Sequence, residues 1–223
     1  ESVKEDYRYI ENKHFLQNIN GKQLLFEWVR RYGFNYEQAE SLFEAMRLGK
    51  SGVIFYSILT GNRQQTTDNR LCPQYVASVQ KDKIEIFKNN NQEENFQILR
   101  FSDSQILKLS DSQILRFSVL KKDEDFKLIK DASVAQFDMD NIEFPLKLRR
   151  WKKGDRFRPL GMKGSKLLSD FFNDLGFSTY QKQKVWIMED ANGLILWVVG
   201  YRISDKVKIS DSTEVIFQCD LKS

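Results

Sequence analysis

One segment, Pro145 to Phe172 (PLKLRRWKKGDRFRPLGMKGSKLLSDFF), narrows what this chain can become. Between Lys147 and Lys166, Lys147, Arg149, Arg150, Lys152, Lys153, Arg156, Arg158, Lys163 and Lys166 stand against one acid, Asp155. The whole chain carries a formal net charge of only +4, so the basic excess is concentrated here. Trp151, Phe157 and Pro159, with Gly154, Gly161 and Gly164, interrupt the charges. Apolar anchors and turn residues imply a folded surface rather than a solvated tail. A rigid basic surface with planar side chains nearby suits a polyanion, RNA first among them. The competing reading is a solvated basic face, with Trp151 and Phe157 packed beneath it. In both readings Asp155 fixes the turn or orients an arginine, because one carboxylate without a partner is a weak acid–base catalyst.

Composition bounds the alternatives. The 223 residues suffice for one large or two small domains, and 41% apolar with 13% aromatic residues supports packed cores. No apolar run approaches the roughly 20 residues that span a bilayer, and no signal peptide is visible. Cys72 and Cys219 lie far apart with no CxxC pattern, so a disulfide framework or zinc ribbon is not expected and a cytoplasmic location fits. His14 is the single histidine, which argues against His-rich metal sites and Ser-His-Asp chemistry; it reads as a surface or packing residue. Neither G-x-x-x-x-G-K-[ST] nor G-x-G-x-x-G occurs, and Gly49-Lys50-Ser51-Gly52 resembles neither. The sequence begins at Glu1 without methionine and reads as a piece of something longer.

The expected class is α+β: a helical N-terminal domain, then a mixed C-terminal domain with a mainly antiparallel sheet and two helices. Leu24, Leu25, Trp28, Val29 and Tyr32 share one helical face, and Gly33 stops that helix. Asn35 with Gln38 forms a capping box for a second helix, with Ala39, Leu42, Phe43 and Met46 inward and Gly49 and Gly52 ending it. Arg30, Arg31 and Arg47 lie on the outer faces, as phosphate contacts or as solubilising charge. These helices make a domain over 1–60. A possible strand at Ile54–Leu59 closes that domain, and an irregular segment over 61–140 follows, with room for two short strands around a Lys81-Asp82 turn within Val76–Phe87. It carries a period-eight repeat starting at Gln97, Gln105 and Gln113. That period is too short and too few for a repeat fold, so it reads as a duplicated, extended insertion punctuated by Ser-Asp-Ser turns.

The domain over 141–223 shows β-α-β order. Ile142–Trp151 reads as a strand, and Leu167, Leu168, Phe171, Phe172 and Leu175 as one helix face ended by Gly176. Ser178 and Gln181 cap a short helix over Tyr180–Lys184. Val185–Met188 and the apolar Leu194–Val199 flank an Asn192-Gly193 hairpin signal. Val207–Ile209 and Glu214–Cys219 read as further strands. The glycines of the basic loop let the backbone bend and expose amides, so that Arg149, Arg150, Lys152, Lys153, Arg156, Arg158, Lys163 and Lys166 line a curved surface. Six to eight phosphate contacts would give a log–log salt slope of roughly −4 to −7.

Arg149, Trp151, Gly154, Asp155, Phe157, Pro159, Gly161, Met162, Gly164, Lys166, Leu168, Ser169, Asp170 and Phe172, then Ile195, Trp197, Gly200, Arg202 and Ile203, fit a family pattern. The segment resembles the C-terminal domain of bacterial tRNA(Ile)-lysidine synthetases. GKQLLFEWVRRYGF and SGVIFYS resemble, less sharply, that family's substrate-binding domain. The resemblance implies a ligase that adenylates the wobble cytidine of an isoleucine tRNA with a CAU anticodon, using ATP and Mg, and then joins lysine to it. It implies that ATP and Mg belong to an N-terminal phosphate-loop domain whose SGGxDS motif is absent here, that this chain itself holds no cofactor, and that its partners are tRNA(Ile) and that domain. It also adds Arg202 to the tRNA-binding set, with Lys182 and Lys184 where many relatives carry an arginine. Lys206-Val207 departs from a common Arg-Phe pair, and the repeat belongs to no family pattern. A free-standing RNA-binding module and a protein-interaction or dimerisation module remain the alternatives; association by the latter would survive high salt.

Overall fold

In the computed structural model, residues 2–4, 7–57, 75–89, 97–99, 106–110 and 113–222 are described. Contacts divide the chain into two compact units, residues 1–93 with 178–181 and residues 94–177 with 182–223. The class is α+β, and among the described residues every strand pairing is antiparallel.

The first unit opens with β1 (Ser2–Lys4) and β2 (Tyr7–Glu11), then α1 (Asn12–Leu16), α2 (Gly21–Val29) and α3 (Tyr36–Arg47). Strands β3 (Val53–Tyr56), β4 (Tyr75–Val79) and β5 (Lys83–Lys88) complete a sheet of order β1-β2-β5-β4-β3. The helices are thus joined in their unit by a five-stranded sheet that the sequence reading anticipated only in fragments. Gly33 takes φ 83° at the end of the turn after α2, where a Cβ would be strained. Asn35 and Gln38 close the capping box in both directions, at 2.8 and 3.1 Å. Leu25, Trp28, Val29, Ala39, Leu42 and Met46 pack onto Ala77, Val79, Ile84 and Ile86 of the sheet. Leu24, expected inward, is instead exposed.

The second unit contains two sheets. Strands β6 (Gln97–Leu99), β7 (Ile106–Ser110), β8 (Gln113–Lys121), β9 (Val134–Asp138) and β10 (Leu146–Arg150) lead to a small hairpin, β11 (Arg156–Phe157) with β12 (Lys166–Leu167). Helix α4 (Leu168–Asp174) follows, then α5 (Thr179–Gln183), whose first residues are grouped with the first unit, and then β13 (Trp186–Glu189), β14 (Ile195–Val198), β15 (Arg202–Ile203) and β16 (Val215–Lys222). One sheet has order β15-β14-β13-β10-β6 and the other β7-β8-β16-β9. Leu146, Leu148, Trp186, Met188 and Leu196 of the first share a core with Leu115, Phe117, Phe137 and Phe217 of the second. The opposite face of the first sheet, through Ile187, Ile195 and Val198, packs on Phe157, Leu168 and Phe172. Burial on both faces is why β14 reads Ile-Leu-Trp-Val without a polar residue.

Two expectations need correction. The repeat is not a passive insertion. Its second copy supplies the edge strand β7, and its third copy begins β8, whose Leu115 and Phe117 are core. Leu107 of the second copy stands directly opposite Leu115 of the third, so these two leucines share one face of the sheet. Its first copy pairs elsewhere, Leu99 opposite Leu146. Of the expected strand at Val207–Ile209, Val207 instead closes a short 3₁₀ turn, Asp205–Val207, and is fully buried. Cys72 and residues 58–74 lie outside the described residues.

Candidate nucleic-acid interface

Strand periodicity sorts the cation run before any tertiary contact forms. On β10, Leu146, Leu148 and Arg150 point to one side of the sheet and Lys147 and Arg149 to the other. Arg150 therefore meets the strand partner directly opposite, Trp186, with its guanidinium carbon 4.0 Å from the ring centroid. It also donates to the carbonyl oxygen of Lys184. Burial pushes its pKa down to about 10, so it stays charged at neutral pH.

Arg149 turns toward the hairpin. Nη1 and Nη2 hold both oxygens of Asp155 at 2.8 and 3.0 Å, and Nε reaches Glu189 at 2.8 Å. Nη2 also lies 2.7 Å from Glu189 Oε2, and Nη1 donates to the Arg150 carbonyl at 3.0 Å. Every N–H of this guanidinium has an acceptor, so none remains for a phosphate. Burial opposes its charge, but the two carboxylates more than offset that and hold the pKa above the usual arginine value. Arg149, expected among the RNA contacts, is thus the tie between sheet and hairpin. Asp155 completes the joint by accepting from the Lys152 amide at 2.6 Å. Gly154, at φ 98°, makes the turn that brings Asp155 back to that amide.

The hairpin is pinned along its length. Phe157 is buried against Phe171 and Leu168. The Leu160 amide donates to Ile203 at 2.9 Å, and the Asp205 amide donates to Arg158 at 2.8 Å. The Gly161 amide donates to Asp205 Oδ1 at 3.2 Å, where Gly161 takes φ 87°. That amide, then the cations Lys208 and Arg158, holds the Asp205 carboxyl below its ordinary range. Arg158 spends Nη2 on Asp205 at 3.0 Å and Nε on the Met162 carbonyl at 2.7 Å. Arg156 bonds Ser165, Lys166 pairs with Asp174, and Lys182 bonds Asn173. Trp151 packs edge-on against Phe172 at 5.2 Å and donates its Nε1 hydrogen to the Lys182 carbonyl at 2.6 Å, so it is packed beneath the basic face.

What faces solvent is a narrower set. Lys153, Lys163 and Arg202 are exposed and make no ion pair or side-chain hydrogen bond among the described residues. Lys152, Arg156 and Lys184 are exposed as well, with partners of their own. Three features escaped the sequence reading: Glu189 as the second partner of Arg149, Asp205 as the anchor of the hairpin, and the crossing of Leu160 with Ile203. Each joins positions about 40 apart in the sequence and leaves no local pattern. No group of three or more His, Cys, Asp or Glu suited to a metal occurs among the described residues.

The fold and the hairpin together define a two-unit α+β chain whose second unit presents a braced cationic edge. Family models match both units: the TilS substrate binding domain over residues 3–63 and the TilS substrate C-terminal domain over residues 146–219. The chain belongs to the tRNA(Ile)-lysidine synthase family and matches its C-terminal portion. A tRNA(Ile)-lysidine synthase of Parabacteroides distasonis is 31% identical over 191 residues, 86% of this chain and 39% of that protein. One from Clostridium tetani is 40% identical over 93 residues, 42% of this chain and 20% of its own length. The chain therefore spans about two fifths or less of these relatives. A crystal structure of a TILS C-terminal domain aligns with 58% of this chain and 98% of its own, at 19% identity and TM-score 0.49.

Proposed function

We propose that this chain is the tRNA-gripping portion of a tRNA(Ile)-lysidine synthase. In this reading it holds an isoleucine tRNA with a CAU anticodon while another part of the protein, with ATP and Mg, activates the wobble cytidine and joins lysine to it. The observation that carries the reading is the braced hairpin: its internal charges are consumed in holding shape, while Lys153, Lys163 and Arg202 are displayed outward. Preformed cationic edges bind phosphate with little ordering cost, because their backbone is already fixed. The matched family descriptions and the relatives' names support tRNA as the ligand. With three outward cations and the partly engaged ones beside them, about three to six phosphate contacts give a log–log salt slope of roughly −2 to −5. Titrating the chain with tRNA at 50 and 200 mM salt tests this. Salt-weakened binding is expected; affinity unmoved by salt, or no binding at the lower concentration, contradicts it. Among the described residues no helix is long and apolar enough to cross a membrane.

A further inference from the structure

RNA-binding surfaces commonly combine phosphate contacts with a ring on which an unpaired base can stack. Trp151 and Phe157 are the rings within the cationic run from Lys147 to Lys166. The first is turned edge-on to Phe172 with its N–H committed, and the second is 3% exposed. Among the described residues of the second unit, the exposed aromatic side chain is Tyr201, at 41%. It occupies the turn between β14 and β15, fixed by its amide donating to Val198 at 2.8 Å. Its ring meets Phe177 edge-on, with centroids 5.0 Å apart at 68°. Phe177 in turn stacks on the buried Phe172 at 5.6 Å and 4°. The ring is therefore propped from the core while much of it faces solvent. Next in sequence stands Arg202, one of the exposed cations. Beyond it, Ile203 and Ser204 run against Leu160 and Pro159 of the hairpin, so Tyr201 stands at the end of the same edge.

We propose that Tyr201 is a stacking platform for an unpaired nucleobase, with Arg202 taking an adjoining phosphate. This rests on the RNA-binding reading and adds to it a contact that does not depend on charge. Tyr201 has lower prominence in sequence than the tryptophans because nothing local marks it; its exposure comes from the Gly200 turn, at φ 79°.

The test measures affinity of the full chain for a fluorescently labelled tRNA transcript with a CAU anticodon at several salt concentrations. Tyr201→Ala and Tyr201→Leu should each weaken binding about 5- to 150-fold, the equivalent of one lost stack, at every salt concentration. The salt slope should stay as in the wild type, since no phosphate contact is lost. Tyr201→Phe should bind normally. Arg202→Ala should instead make the slope shallower by about 0.7–0.9. Leu keeps an apolar contact with Phe177, so a folded Leu variant guards against misfolding of the Ala one. Wild-type affinity in a folded Tyr201→Leu variant would overturn this inference alone. A wild-type chain that fails to bind the transcript would overturn it together with the function it rests on.

Discussion

Replacing Arg149 with Met separates a structural arginine from an RNA-binding one. The side chain is 13% exposed, and its carboxylate partners Asp155 and Glu189 are 14% and 12% exposed. At an effective dielectric of about 20, each attraction is worth about 4 kcal/mol at 4 Å, much of it offset by desolvation. Removing the cation leaves two largely buried carboxylates without it, and breaking such an arrangement costs about 3–5 kcal/mol. Urea unfolding followed by tryptophan fluorescence reads the effect, since Trp151, Trp186 and Trp197 all report on the second unit. Arg149→Met should lower the unfolding free energy by that amount, and the urea midpoint by that amount divided by the m-value. Adding Glu189→Gln should recover part of the loss, a coupling of about 0.5–3 kcal/mol for groups in one network. Where the variant is still folded, its tRNA affinity should stay within about twofold of the wild type, because no donor pointed outward. A stability change under about 0.5 kcal/mol, the size typical of a surface substitution, together with weaker binding and a shallower salt slope would refute this.

Two further outcomes follow from the same geometry. Leu115→Ala, in the third repeat copy, should cost about 2–5 kcal/mol, while Ile106→Ala at a 53% exposed site should cost under about 0.5; equal effects in denaturant melts would return the repeat to the status of an insertion. Cys219 is fully buried, and burial first, with Asp220 second, raises its thiol well above 9.0. Stability from that raised thiol is whole below the unfolded value and falls as pH rises past it, and in a Cys72→Ser background a thiol reagent at pH 8 should react only after unfolding; immediate reaction of the native chain would contradict the buried assignment.

Much of the local order could be read from the residues. Gly33, the Asn35–Gln38 box, the Asn192-Gly193 turn and the apolar β14 are short-range signals, and each appears where it was expected. The first sheet was harder, because β3 and β4 are separated by a long stretch and only pairing across it shows that they belong together. The basic run reads in sequence as one cationic surface, whereas the structure turns part of it inward. Arginine is read from sequence as a phosphate ligand, yet in this hairpin Arg149 and Arg158 meet acids about 40 positions away, and strand alternation sends Arg150 to a tryptophan. Lysines at turns kept their exposure, since no strand or core claimed them.

The most direct measurement of the central claim is tRNA binding by the triple variant Lys153→Glu, Lys163→Glu and Arg202→Glu. These three side chains support no described contact, so the fold should lose under about 0.5 kcal/mol per site. Affinity at low salt should fall by at least about 100-fold, taking each lost charge-assisted contact at about 1.5–3 kcal/mol with partial compensation. The salt slope should become shallower by about 2–3 in total. A folded variant that binds tRNA as the wild type does at low salt would contradict the account.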